Sequence, residues 1–202
     1  MRWIALVLLV AVIGAAALLY DMVTGGGEAE PPRSIAAGPF IEGDRTVRPV
    51  PDWAGALERL SPPKAAPTVA FSDGKGNSLT LADFRGQGVV VNLWATWCGP
   101  CVHEMPSLNR LQAAVADEGI RIVAVSSDRE GIATVEPFLS EYGLDRLDPY
   151  MDPQGAFTRS LNGRVLPSTY ILNRDGEIVA QYIGPAEWDA PELVAAVREL
   201  AR

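Results

Sequence analysis

The sequence predicts an α/β domain in which a mixed central sheet is flanked by helices. Residues 89–94 and 120–125 are continuous apolar runs of strand length, the pattern of strands covered on both faces. Stretches with helical spacing lie between and after them, so strand and helix alternate as in a βαβ unit. Farther on, residues 169–172 and 178–183 flank Arg174-Asp175-Gly176, a hairpin that adds antiparallel strands to the same sheet.

The elements follow in chain order. Residues 3–20 are eighteen uncharged residues preceded only by Met1 and Arg2, close to the roughly 20 apolar residues that a membrane crossing requires. A membrane anchor is expected, with a signal peptide cleaved near Ala15-Ala16-Ala17 as the alternative. In either case Arg2 stays in the cytoplasm and the rest of the chain is exported. Residues 21–65 read as a tether. Eight of the sixteen prolines lie between 31 and 67, and each fixes a dihedral and removes a donor, which suits an extended linker. Within the tether, residues 53–60 have the spacing of a short helix, with Trp53, Ala56, Leu57 and Leu60 on one face. The folded domain is expected over 66–202. It opens with a hairpin of 69–71 and 79–81 around Asp73-Gly74 and Gly76-Asn77. After the strand at 89–94, residues 98–116 carry helical spacing through Met105, Leu108, Leu111 and Val115. Helices are expected at 132–142, stopped by Gly143, and at 153–161, stopped by Gly163. The last helix shows Asp189 and Glu192 in capping-box spacing, with Pro191 early and Leu193, Val194, Val197 and Leu200 on its apolar face.

Composition removes several classes. Twenty-five acidic against seventeen basic residues give a net charge of −8, opposite to the basic stripe of a nucleic-acid binder. Two cysteines and one histidine cannot complete a four-ligand structural zinc site unaided, nor a framework of several disulfides. No metal or organic cofactor is expected.

Both cysteines fall in Trp97-Cys98-Gly99-Pro100-Cys101, between a buried strand and an amphipathic helix. At a helix start this spacing lets the two sulfurs close a small, reversible disulfide ring. Cys98 would sit at the helix N-terminus, where free N–H groups and the macrodipole stabilise a thiolate and lower its pKa below the free value of about 8.5. Cys101, one turn in, would be shielded. Cys98 is therefore the attacking thiol and Cys101 the resolving one. A purely stabilising disulfide is the weaker reading, because so short a loop constrains little of the unfolded chain. Copper or zinc held by Cys98, Cys101 and His103 lacks an evident fourth ligand. Covalent haem attachment would need His directly after the second cysteine, where Val102 stands.

The segment Val91-Asn92-Leu93-Trp94-Ala95-Thr96-Trp97-Cys98-Gly99-Pro100-Cys101-Val102-His103-Glu104-Met105-Pro106-Ser107-Leu108 resembles the TlpA/ResA-like family of thioredoxin-fold proteins. So does Val165-Leu166-Pro167-Ser168-Thr169-Tyr170-Ile171-Leu172-Asn173-Arg174-Asp175-Gly176. The resemblance runs over about 66–202. It implies a thioredoxin-like fold with an N-terminal hairpin and an added segment near 131–153. The implied activity is that of a membrane-anchored, periplasmic thiol:disulfide oxidoreductase. Pro167 takes the place of the family's cis-proline, where Leu166 would offer its backbone to an extended client segment; a strand-opening proline is the plainer reading. Trp97, Gly99, Pro100, Leu166 and the turn at Ile183 and Gly184 would meet the client, while Trp94 packs in the core. Asn92 stands where thioredoxin has a buried Asp, and Glu104 stands where membrane-tethered relatives place a carboxylate. At three residues past Cys101 it lies on the Cys101 side of the helix. There, partly buried with a raised pKa, it would take and return that thiol's proton; a solvated helical acid is the competing reading. Pro106 is expected to kink the helix.

Gly99-Pro100 is the dipeptide of thioredoxin, at the reducing end of a scale from about −270 mV to about −120 mV. A reductase is the expected direction, supplied by a DsbD/CcdA-type membrane electron donor. Apocytochrome c or copper chaperones of oxidase assembly are the clients that the resemblance implies, and the protein is expected to be a monomer. A thiol oxidase or isomerase, and a copper-binding metallochaperone without turnover, are the alternatives. A peroxidase would need a lone attacking cysteine in a Thr-containing loop, which is absent. The loops at 143–153 and 184–190 are where a client code is expected.

Overall fold

A computed structural model describes residues 56–202; the segments at 3–20 and 21–55 lie outside the described residues. The strands are β1 (Glu58–Ala65), β2 (Phe71–Asp73), β3 (Ser78–Leu79), β4 (Gly88–Trp94), β5 (Ile120–Ser126), β6 (Tyr150–Met151), β7 (Ser168–Leu172) and β8 (Glu177–Ile183). The helices are α1 (Gly99–Val115), between β4 and β5, α2 (Ile132–Glu141), α3 (Ala156–Ser160) and α4 (Pro191–Leu200). All eight strands join one sheet in the order β1-β8-β7-β4-β5-β6-β2-β3. The β4–β5 and β5–β6 pairs are parallel and the others antiparallel, which makes the sheet mixed as expected. Among the described residues no helix is long and apolar enough to cross a membrane.

Every residue of β4 is buried, because both faces are covered. Val90 and Trp94 belong to one core with Met105, Leu108 and Leu111 of α1, Val135 of α2, and Leu193 and Val197 of α4. Val89, Val91 and Leu93 belong to the other, with Phe71, Phe84, Phe157 of α3 and Tyr170. The period of two along the strand thus sends alternate residues to opposite cores. Asn92 shares its parity with Val90 and Trp94 and so faces the layer that contains α1. Pro106 lies inside α1, which continues past it to Val115.

Two expectations are corrected. Residues 58–65 are neither tether nor the end of a helix; they form edge strand β1, antiparallel to β8, with Glu58 opposite Gln181 and Ala65 opposite Glu177. The register shifts between Arg59 and Lys64, around Pro62-Pro63, which fits the confinement of proline to edges and bulges. The ordered fold therefore begins before residue 66. Asp189 does not cap α4: its N-cap is Ala190, without a side-chain cap hydrogen bond. The Asp189 carboxylate instead accepts from Arg110 Nε at 2.6 Å and Nη2 at 3.2 Å, tying the loop before α4 to α1.

Gly88 opens β4 where the chain's C-terminal end crosses it. A Cβ there would overlap the carbonyl oxygen and Cβ of Ala201. The oxygen is backbone and the Cβ is fixed rigidly to it, so Gly88→Ala is expected to destabilise the domain by about 2 kcal/mol, the usual range for overpacking. Chemical denaturation reads this directly; an unchanged midpoint would mean that the C-terminus moves aside freely.

Candidate active site

The pair forms at the exit from β4. Cys98 N–H donates to Ala95 O at 3.1 Å, closing a turn, and Cys98 becomes the N-cap of α1 in extended conformation. Its Sγ accepts from Cys101 N at 3.3 Å, so the sulfur occupies the position of a capping oxygen. Pro100 fits the first helical turn, where a missing N–H is not needed. Cys98 and Cys101 are disulfide-bonded with Cα atoms 5.3 Å apart. Cys98 is 8% exposed and Cys101 is fully buried. The helix terminus therefore points the Cys101 amide at the outer sulfur, while the inner one is out of reach of solvent.

Sheet register builds the surroundings of Cys98. Leu93 pairs with Ser168, and Ser168 pairs with Ile183, across β4, β7 and β8. The Trp97-Cys98 loop, Leu166-Pro167 and Ile183-Gly184 thus emerge at one end of three neighbouring strands. The Leu166-Pro167 peptide is cis, as the resemblance implied. Pro167 is buried and Leu166 half-buried, and Gly184 N–H donates to Pro167 O at 3.0 Å. Trp97 is 69% exposed, Ile183 61% and Val165 56%. These side chains leave an exposed apolar group at this end of the three strands. Gly99 and Pro100 are exposed beside it. Val165 was not singled out from sequence, although its place next to Leu166-Pro167 was the available signal. Trp94 is buried, as expected.

Glu104 is fully buried, more deeply than the sequence implied. Its Oε1 accepts from Asn92 Nδ2 at 2.8 Å, and its Oε2 accepts from Ala186 N at 3.0 Å and Trp188 Nε1 at 3.0 Å. Burial pushes its pKa up to about 7. The donors from Asn92, Trp188 and Ala186 pull the other way, and the charge of Glu187 adds slightly to the rise. Asn92 Nδ2 also donates to Thr169 Oγ1 at 2.9 Å, while Asn92 Oδ1 has no partner among the described residues. A carboxyl group that titrates near neutrality, one helical turn below Cys101, can accept or release a proton under working conditions.

A second buried carboxylate was not legible from sequence. Asp128, just past β5, accepts from Thr96 N at 2.9 Å, Thr96 Oγ1 at 2.7 Å and Ser126 Oγ at 2.6 Å. It holds the loop that delivers Trp97 and Cys98. His103 is exposed on α1, and among the described residues no three His, Cys, Asp or Glu side chains group to hold a metal ion.

A mixed sheet with this strand order and a disulfide at the N-terminus of the central helix define a thioredoxin-like redox protein. Comparison with known proteins points the same way. The Redoxin family profile matches residues 62–197. The thiol-disulfide oxidoreductase ResA of Bacillus thuringiensis (strain Al Hakam) is 34% identical over 127 residues, 63% of this chain and 72% of that protein. A thiol:disulfide interchange protein from Bacteroides sp. has a TM-score of 0.57 at 27% identity, over 68% of this chain and 88% of the other. A DsbF homologue from Corynebacterium diphtheriae shares the fold at a TM-score of 0.60 and 20% identity, over 72% and 93% of the two chains. The chain belongs to the Redoxin family, in its TlpA/ResA-like group of thiol-disulfide oxidoreductases. Its activity is thiol–disulfide exchange with client proteins through the redox pair at 98 and 101.

Proposed function

We propose that the protein is a periplasmic reductase of client disulfides, held at the inner membrane by residues 3–20. A DsbD/CcdA-type donor would supply its electrons, and its clients would lie in cytochrome c or oxidase copper-centre maturation. It acts as a monomer without a cofactor. The observation that carries the direction is the charge of the group beside the pair: the ionisable side chain buried under the cysteine-bearing turn is an acid, Glu104. A nearby negative charge disfavours a thiolate, and a redox protein oxidises strongly only when its reduced form is stabilised. The Gly99-Pro100 dipeptide supports the same direction.

In the reaction, Cys98 loses its proton to solvent and its thiolate attacks one sulfur of the client disulfide. The client's S–S bond breaks, a mixed disulfide forms, and the first client thiolate picks up a proton. Cys101 then passes its proton to the Glu104 carboxylate and attacks Cys98 Sγ. The Cys98–Cys101 bond forms, the mixed disulfide breaks, and the second client thiolate takes up a proton as Glu104 releases one. Two electrons and two protons have moved from protein to client. Trp97, Gly99, Pro100, Leu166 and Pro167 seat the client, with Val165 and Ile183 extending the apolar rim.

The reduction potential tests the direction. Full-length protein equilibrated in thiol buffers and followed by Trp94 and Trp97 fluorescence is expected to give a value near −270 mV, the thioredoxin end of the range. A value near −120 mV would overturn the reductase reading in favour of a thiol oxidase.

A further inference from the structure

The loop between β8 and α4 is fastened to α1 at three successive points. Ala186 N and Trp188 Nε1 converge on Glu104 Oε2, both at 3.0 Å. Trp188 N donates to Ser107 Oγ at 3.0 Å, and Ser107 Oγ in turn donates to Glu104 O at 2.7 Å. Asp189 closes the row on Arg110. Residues 104, 107 and 110 form one stripe of the helix, so the whole row faces one strip of loop. Trp188 is fully buried, and the Tyr182 ring meets it edge-on at 5.7 Å. Packing alone would be met by any large aromatic side chain. The directed indole N–H would not.

We propose that Trp188 is a positioning residue of thiol–disulfide exchange: its indole N–H, with the Ala186 amide, aims Glu104 Oε2 and holds that carboxylate in the charged form that receives the Cys101 proton. This rests on the proton role proposed above for Glu104. The two donors on Oε2 come from the loop and the one on Oε1 from Asn92, so the loop supplies most of the hydrogen bonding that an ionised acid needs in a buried place. Other groups facing the carboxylate do not replace this. Glu187 on the same loop is a like charge, and Asp189 is paired with Arg110. Tyr182 on β8 is itself raised by burial and by the Glu104 charge, and Asn92 and Thr169 on β4 and β7 are neutral.

Trp188→Phe keeps the ring and removes the donor. The rate at which the reduced full-length chain is oxidised by a peptide disulfide, followed from pH 5 to 9, should show a midpoint near 7 that this variant moves alkaline by about one pH unit. Glu104→Gln should abolish that midpoint, and Trp188→Phe added to Glu104→Gln should cause no further shift. In the unaltered chain the Trp188 indole N–H resonance should titrate with the same midpoint, and this measurement decides the matter if the Phe variant does not fold. An unshifted midpoint in a folded Trp188→Phe protein, or an indole resonance flat across this range, overturns the assignment to Trp188. A midpoint that survives Glu104→Gln overturns the proton role of Glu104 instead, and the Trp188 proposal falls with it.

Discussion

Cys101→Ser is expected to stop turnover at the mixed disulfide and to accumulate client joined to Cys98. The helix-capping position of Cys98 Sγ, with the Cys101 amide 3.3 Å away, survives a change of the side chain at 101. The attack step is therefore retained. What disappears is the second sulfur, which the fold holds in place and hides from solvent. An intramolecular group so placed has an effective concentration far above any free thiol, with well-oriented cases reaching roughly 10⁵–10⁸ M. Release of the client by external thiols should then be slower by at least about 10³-fold. Serine nearly matches cysteine in volume, so the tight core around Met105 and Trp94 need not rearrange. Non-reducing electrophoresis of the variant in cells, with the junction mapped by mass spectrometry, reads the outcome. No adduct, or a matching adduct from Cys98→Ser through Cys101, would reverse the assigned roles.

What could be read from the chain depended on how local the signal was. The buried runs of β4 and β5 stood out because strands covered on both faces carry no polar alternation. The redox pair was legible because both cysteines and their helix start lie within a few residues. Strand β1 was hidden because its partner β8 is more than a hundred residues away and Pro62-Pro63 imitates a linker. The local pattern at Asp189 favoured a cap, but Arg110, seventy-nine residues away, takes the carboxylate into an ion pair.

The same limit applied to Glu104. Helical spacing placed it below Cys101 but could not decide between a solvated acid and a buried one. That choice is made by Ala186 and Trp188, which reach it from a loop over eighty residues later. Asp128 carried no signal of its own, because its partner Thr96 lies across a parallel crossover. The chemistry of the pair is thus local, whereas the environment that tunes it is assembled from the ends of β5, β7 and β8.

Glu104→Gln should separate the stability of the oxidised protein from its activity, with a sign fixed by the raised pKa. The folded chain binds the Glu104 proton up to about pH 7, whereas an unfolded glutamate releases it near 4.5. Between those values the folded state holds more protons, so stability is fully present below the unfolded pKa and is lost as pH rises through the folded one. The shift corresponds to at most about 3 kcal/mol. The variant lacks this slope. Its introduced carbonyl still accepts from Ala186 and Trp188, and its amide can donate to Asn92 Oδ1, the acceptor left without a partner, once the Asn92 amide turns over. Urea midpoints should therefore converge at pH 4, with the variant the more stable protein at pH 8, while its exchange rate near neutrality falls by roughly 10²-fold for want of the proton acceptor. A group that costs stability in its working form, and whose removal costs rate, is kept for the reaction rather than for the fold. Parallel urea midpoints for the two proteins from pH 5 to 8 would show that Glu104 does not titrate in this range, and its proton role would be withdrawn.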